Sequence, residues 1–187
     1  MPKNTFLDRK ILSLCVIAKN EEKHVKRFID AWDGWCDEII ICDTGSSDRT
    51  KEIAAECGAI VVEFPWCDDF SAARNAACAP ATSEWIFCPD MDEIIVNPEK
   101  FYTFLASVPD WINAVQMDLH TAWANYVDLN NKGAVVNYFP AQRCFKRGTH
   151  EWAGAGHEFI RGINGNTTKM GYCRDAHFEH HPDTTKP

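Results

Sequence analysis

Asp90, Asp92 and Glu93 stand just after a short apolar run, Trp85-Ile86-Phe87-Cys88. Acids rarely end a buried strand, because an unpaired carboxylate is costly to desolvate. These acids therefore read as lying past the strand's C-terminal end. In an open α/β sheet that edge is where ligands bind. Carboxylates at i and i+2 of an extended chain point to the same side. Together they suit a hard divalent cation such as Mg²⁺ or Mn²⁺, which takes carboxylate oxygens and often substrate phosphates. The bland alternative is a strand followed by an acidic, solvated turn. A D-x-D spacing by itself does not choose between the two.

Other groups must be carried to the same edge. Residues 11–18 read as a first strand, and Asn20 as the cap of a helix with Glu21 and Glu22 in its first turn. Residues 38–42 form a continuous apolar run, as in a parallel sheet covered on both faces. The polar loop Asp43-Thr44-Gly45-Ser46-Ser47-Asp48 follows, then a helix over 49–57 that Gly58 ends. Residues 59–64 read as strand three, 71–79 as a helix and 84–88 as strand four. Strands alternating with helices imply βαβ crossovers and a parallel sheet. Asn97-Pro98 opens another helix, which Pro109 stops. Beyond Trp111 the pattern changes. Residues 113–122 and 135–146 read as strands joined by a turn at 130–133, 148–156 as irregular, and 157–161 and 176–181 as short strands. The second half is thus more antiparallel and richer in loops. The chain stops soon after its last strand candidate, which leaves room for a further helix or partner domain.

Composition bounds the function. With 187 residues the chain can build one domain with a real core. The formal net charge of −8 disfavours duplex nucleic acid, which selects a basic footprint. A nucleotide is not excluded, since a metal can neutralise its phosphates locally. Nine scattered cysteines contain no C-x-x-C pair, and Cys15, Cys42 and Cys88 lie in apolar runs. They read as free thiols in a reducing cytoplasm. The apolar run at 11–18 is too short and too poorly flanked for a signal peptide, and no run is long enough for a membrane helix.

Four ordered words now stand out: Leu12-Ser13-Leu14-Cys15-Val16-Ile17-Ala18-Lys19-Asn20-Glu21-Glu22, Asp37-Glu38-Ile39-Ile40-Ile41-Cys42-Asp43-Thr44-Gly45-Ser46-Ser47-Asp48-Arg49-Thr50, Asp69-Phe70-Ser71-Ala72-Ala73-Arg74-Asn75 and Asp90-Met91-Asp92-Glu93. They resemble glycosyltransferase family 2, whose members have the nucleotide-sugar-binding GT-A fold. The resemblance implies an α/β fold with a mostly parallel, Rossmann-like sheet flanked by helices. It implies a single domain over 1–187, with a nucleotide-sugar half at 1–95 and an acceptor half at 96–187. It further implies an inverting, metal-dependent transferase. The donor would be a nucleoside diphosphate sugar, and Mn²⁺ or Mg²⁺ the cofactor.

Roles follow position by position from the resemblance. Asp43 would bind the base, helped by Ala18, Asn20 and Glu21. Gly45 would let backbone approach the ligand closely. Arg74 would lie at the phosphates. Asp90 would contact ribose or metal, Asp92 would be the main metal ligand, and His180 would complete the metal site. Glu158, in Gly156-His157-Glu158, would be the carboxylate base that takes the acceptor proton. Glu151 in a similar His-Glu pair is its rival, and Glu93 sits too near the metal acids. All four of Trp66, Trp85, Trp123 and Trp152 read first as packing; for Trp123 and Trp152, in the loop-rich half, stacking on an acceptor sugar is the alternative. Arg143 and Arg147 could face the diphosphate or solvate a strand. The acceptor is open among a glycan, a lipid-linked sugar, a protein side chain and a modified base. Two alternatives stay open. A nucleotidyltransferase would show a glycine-rich basic loop after strand one, where this chain has Ala-Lys-Asn-Glu-Glu. An inactive nucleotide- or carbohydrate-binding module would not need its acids intact.

Overall fold

The computed structural model describes residues 9–127 and 134–180, with side chains at 9–119 and 141–179. The element order is β1 (Leu12–Ala18), α1 (Val25–Ala31), β2 (Glu38–Asp43), α2 (Thr50–Glu56), β3 (Ile60–Glu63), α3 (Phe70–Cys78), β4 (Trp85–Phe87), β5 (Glu93–Val96) and α4 (Pro98–Ser107). There follow β6 (Ala114–Val127), β7 (Ala134–Lys146), β8 (His150–Ala153), β9 (Phe159–Gly162) and β10 (Met170–His180).

Eight strands form one sheet in the order β3-β2-β1-β4-β7-β6-β10-β5. The first four run parallel. This is the α/β, Rossmann-like arrangement expected for the first half. β7 then pairs antiparallel with both β4 and β6, and β10 antiparallel with β5. Both halves of the chain therefore share one sheet. β8 and β9 make a separate hairpin.

The sheet's helix-covered face packs around an aromatic group from distant parts of the chain. Phe87 of β4 lies 4.9 Å from Phe178 of β10 and 5.5 Å from Phe101 of α4, between ring centroids. Trp32 closes the group at 5.9 Å from Phe87. All four rings are fully buried. Cys15, Cys42 and Cys88 are buried too, as their apolar settings implied.

Four local expectations are corrected. Asn20 does not cap a helix. It takes a left-handed conformation, and its side-chain oxygen accepts from the Ser47 amide at 2.9 Å, so α1 begins only at Val25. Glu93 opens a strand, β5, that the sequence does not announce, because β10 offers an antiparallel partner from far along the chain. His150–Ala153 is ordered by β9 in the same way. The last strand begins at Met170, earlier than its weak alternation suggested, and has an irregularity between Tyr172 and His177. The expected turn at 130–133 and His181 lie outside the described residues.

Because Phe87 contacts three rings at once, Phe87→Ala should destabilise the protein by about 3–5 kcal/mol. Urea unfolding would measure this. A loss below about 1 kcal/mol would mean the rings do not form a common core.

Candidate active site

Four parallel strands deliver their C-terminal loops to one place. The Thr44 amide donates to the Ala18 carbonyl at 2.9 Å, and the Thr44 hydroxyl reinforces this at 3.1 Å. The Asn20 amide donates to Ser46 Oγ, and the Glu21 amide to Thr50 Oγ1 at 2.7 Å. The loops after β1 and β2 are thus knitted together by side-chain hydroxyls. Asp43 is buried and organises its own loop, accepting from the Gly45 amide at 3.1 Å and the Ser46 amide at 3.0 Å. Gly45 has φ +106°, and a Cβ there would meet nothing within 4 Å. Within the chain its requirement is conformational.

These loops border a cleft of about 280 Å³ lined by Ala18, Lys19, Glu21, Thr44, Trp66, Phe70, Asp90 and Asp92, among others. Ends of β1, β2 and β4 and the β3–α3 loop all contribute. Expected residues Ala18, Glu21, Asp90 and Asp92 line it, whereas Asn20, Asp43 and Gly45 support it from behind. A larger cavity, about 650 Å³, opens at the opposite end of the parallel strands. Two of its acids serve the fold: Asp37 accepts from the Ile11 and Leu12 amides, and Glu38 from Ser13 and Thr82.

Beside the smaller cleft runs a chain of charges. Glu158 Oε1 accepts from Arg74 Nε at 3.0 Å, and Arg74 Nη2 donates to Asp90 Oδ1 at 2.7 Å. Asp90 Oδ2 accepts from Arg143 Nη1 at 2.8 Å, and the same nitrogen reaches both oxygens of Glu93 at 2.8 Å. Glu93 also accepts from the Asp90 amide at 2.9 Å. Arg74 is 3% exposed, with its guanidinium 4.9 Å from the centroid of the Trp152 ring. Expected at the phosphates, Arg74 is buried between Asp90 and Glu158, directly behind the cleft-lining Asp90.

The neighbouring Asn75 serves the same hairpin. Its amide nitrogen donates to the Trp152 carbonyl and its oxygen accepts from the Trp152 amide, both at 2.9 Å. Ser71 Oγ donates to the Gly154 carbonyl at 2.5 Å, and the Phe70 amide to the Ala155 carbonyl at 3.2 Å. Helix α3, started by an Asp69 cap on the Ala72 amide, therefore holds the β8–β9 hairpin and its Glu158 in place. Gly154 is required there: its φ is +95°, and a Cβ would lie 2.8 Å from the His157 carbonyl oxygen.

Glu158 lines a second cleft of about 420 Å³ together with Gln142, Arg143, Trp152, His157 and Phe159. Its rival Glu151 borders neither cleft and pairs with Arg161 at 2.5 Å. Trp152, read as a sugar-stacking candidate, is 4% exposed and mainly packs. Arg147 donates to the Ser83 carbonyl, on a different part of the surface. The side chains of Trp123 and His180 lie outside the described set, but the backbone pairs His180 with Glu93. Among the described residues, no three His, Cys, Asp or Glu side chains form a ready metal cage.

The charges shift one another. Burial would raise Asp90, but Arg143 and then Arg74 outweigh it and hold the carboxyl below its ordinary value. Glu93 goes the other way. Burial, reinforced by the charge of Asp90, pushes it up to about 7 despite Arg143. The sequence offers Arg143 for a diphosphate or a solvated strand and discounts Glu93 as a base; it pairs neither with Asp90. The available signal was the acid following Asp92, but its partner stands 50 positions later.

The profile described as "Glycosyl transferase family 2" matches residues 13–116, more than half of the chain. The chain belongs to glycosyl transferase family 2. A TPR repeat-containing protein of Synechococcus elongatus is 46% identical over 85 residues, which cover 46% of this chain and 21% of that protein. The SPbeta prophage-derived glycosyltransferase SunS of Bacillus subtilis is 34% identical over 96 residues, 50% of this chain and 22% of SunS. This family 2 chain thus spans about a fifth of the length of either relative. Among solved structures, S. aureus TarS 1-349 in complex with UDP-GlcNAc aligns with TM-score 0.53 at 20% identity, over 62% of this chain and 36% of that one. That likeness is one of fold, and it agrees with a GT-A-like architecture. No helix among the described residues is long and apolar enough to cross a membrane.

Two measurements test the charge chain. Arg74→Ala strands Asp90 and Glu158 without a shared partner and should cost about 3–5 kcal/mol in urea unfolding. Glu93 supplies a pH test. Its folded pKa of about 7 lies above the ordinary 4.5, so the folded state holds an extra proton between those values. The resulting stabilisation is complete below pH 4.5 and is lost as pH rises through 7. In chelator-treated protein, raising pH from 5 to 8 should lower Tm more for wild type than for Glu93→Gln. Parallel calorimetric curves would show that Glu93 titrates like an exposed acid.

Proposed function

We propose that this chain carries the nucleotide-sugar-binding and catalytic part of an inverting glycosyltransferase. One observation supports this most. Acids and backbone from separate crossovers converge on one cleft, and a carboxylate in a second cleft lies two ion pairs away through Arg74. The first cleft would take the nucleoside diphosphate sugar and the second the hydroxyl acceptor.

Asp43 would accept from the base, using lone pairs left after its two backbone bonds. The Ala18–Glu21 loop would frame the nucleoside. Asp92, partly exposed in the cleft wall, suits a hard cation. His180, whose backbone lies opposite Glu93, would be a further ligand. Asp90 is a poorer ligand than its spacing implies, since both its oxygens already face arginines. Bound Mn²⁺ or Mg²⁺ would offset the charge of the departing diphosphate. Glu158 would take the acceptor's proton as the hydroxyl oxygen attacks the anomeric carbon from the face opposite the diphosphate. Arg74 keeps Glu158 oriented, and its charge must be shared with Asp90 for Glu158 to remain basic. The donor base, the sugar and the acceptor class are not specified by these groups.

A thermal-shift panel of nucleoside diphosphates with and without Mn²⁺ tests the reading. One nucleotide should raise Tm, and more so with metal. Asp92→Ala should abolish the metal-dependent part. Glu158→Gln should keep nucleotide binding and lower turnover by 10²-fold or more, on the order of a general base's contribution. Unchanged turnover in Glu158→Gln would remove it from the mechanism.

A further inference from the structure

The chain also presents aromatic surface to the first cleft. Trp66, in the loop between β3 and α3, and Phe70, the first residue of α3, both line it. Phe70 is 41% exposed, although it is a large apolar ring at the start of a helix. Its ring meets Trp66 edge-on, with centroids 4.7 Å apart. The indole is fixed from its polar side, where Nε1 donates to Asp68 Oδ1 at 2.9 Å. Asp68 takes a left-handed conformation, with φ +58°, in the tight turn that allows this bond. The Phe70 amide is tied to Ala155 at 3.2 Å. Two aromatic rings are thus held rigidly while one stays open to solvent.

Resting on the nucleotide reading above, we propose that the Trp66–Phe70 corner is the stacking wall for the donor's nucleobase. The corner's place in the cleft favours base over sugar. The Phe64 amide still donates to the Asp43 carbonyl at 2.9 Å, continuing the β2–β3 pairing. Trp66 follows two residues later, so it starts no more than about 7 Å of chain from that point. The corner therefore belongs to the Asp43 side of the cleft, and the β4 acids Asp90 and Asp92 supply its other side. A planar base against the rings leaves the diphosphate toward those acids. Stacking accepts any base, because every base has a π-face. The corner therefore sets nucleotide affinity, while the hydrogen-bonding groups of the β1 and β2 loops set which base is preferred.

The test is calorimetric titration of UDP, UDP-glucose, GDP, ADP and CDP with Mn²⁺ into wild type, Trp66→Ala, Phe70→Ala and Trp66→Phe. Mn²⁺ binding alone is followed by electron paramagnetic resonance. Each alanine variant should weaken every nucleotide that binds wild type by about tenfold or more, without changing their order. Trp66→Phe should stay within a few-fold of wild type, and Mn²⁺ binding should be unaltered in all variants. Four results overturn the proposal: unchanged nucleotide affinity, joint loss of Mn²⁺ and nucleotide, equal damage from Phe and Ala at position 66, or weakening of UDP-glucose with UDP unaffected. The last would place the sugar, not the base, on the rings. If wild type binds Mn²⁺ but no nucleoside diphosphate, the underlying nucleotide reading fails first. Circular dichroism confirms that each variant is folded.

Discussion

The site depends on a partly buried chain of alternating charge, Glu158–Arg74–Asp90–Arg143–Glu93, with Arg74 and Glu93 its most buried members. Charges taken out of water are stable only when paired and hydrogen-bonded. Here each arginine touches two carboxylates, and Asp90 touches both arginines. Glu93, at one end, is deeply buried, and burial reinforced by the charge of Asp90 raises its proton affinity. No member can move without stranding another. The chain draws on four stretches of sequence, at 74, 90–93, 143 and 158, and links the two clefts. One ion, Asp90, belongs to the first cleft's wall, and its partner Arg143 to the second's.

Helix α3 supplies the mechanical part of the same coupling. Arg74 faces the charges, Asn75 grips the backbone of Trp152, and Ser71 holds Gly154. Three side chains on little more than one turn thereby dock the hairpin onto the parallel half. The Arg74–Trp152 contact adds a desolvated cation over an aromatic face, an interaction that strengthens as water is excluded. The Asp69–Asn75 word thus fastens the β8–β9 hairpin to the parallel strands. Family membership and this fastening agree: the same short motif can serve a ligand indirectly by holding the residues that meet it.

Much of the first half was legible because its signals are local. Apolar runs and the glycine at position 58 fix β1 to α3 within a residue or two, apart from the delayed start of α1. Asn20 misled because its side chain can serve either a helix cap or a neighbouring loop, and Ser47 was the better partner. β5 and β8 were missed for a different reason. Each is four residues long, too short for alternation to declare itself, and each exists because a distant strand offers hydrogen bonds.

By itself the sequence determined the class of the sheet, the family and the acids that reach its C-terminal edge, since these follow from periodicity and from motifs read within a few residues. Tertiary structure alone decided what those acids and their arginines do. It turned Arg74 inward, spent both oxygens of Asp90 on arginines, drew in Glu93 and Arg143, and left Phe70 exposed at a cleft. The physical reason is that a charge's role depends on which opposite charge lies within hydrogen-bond reach after folding. Partners such as Arg74 and Glu158, 84 positions apart, meet only through the packing of α3 against the hairpin.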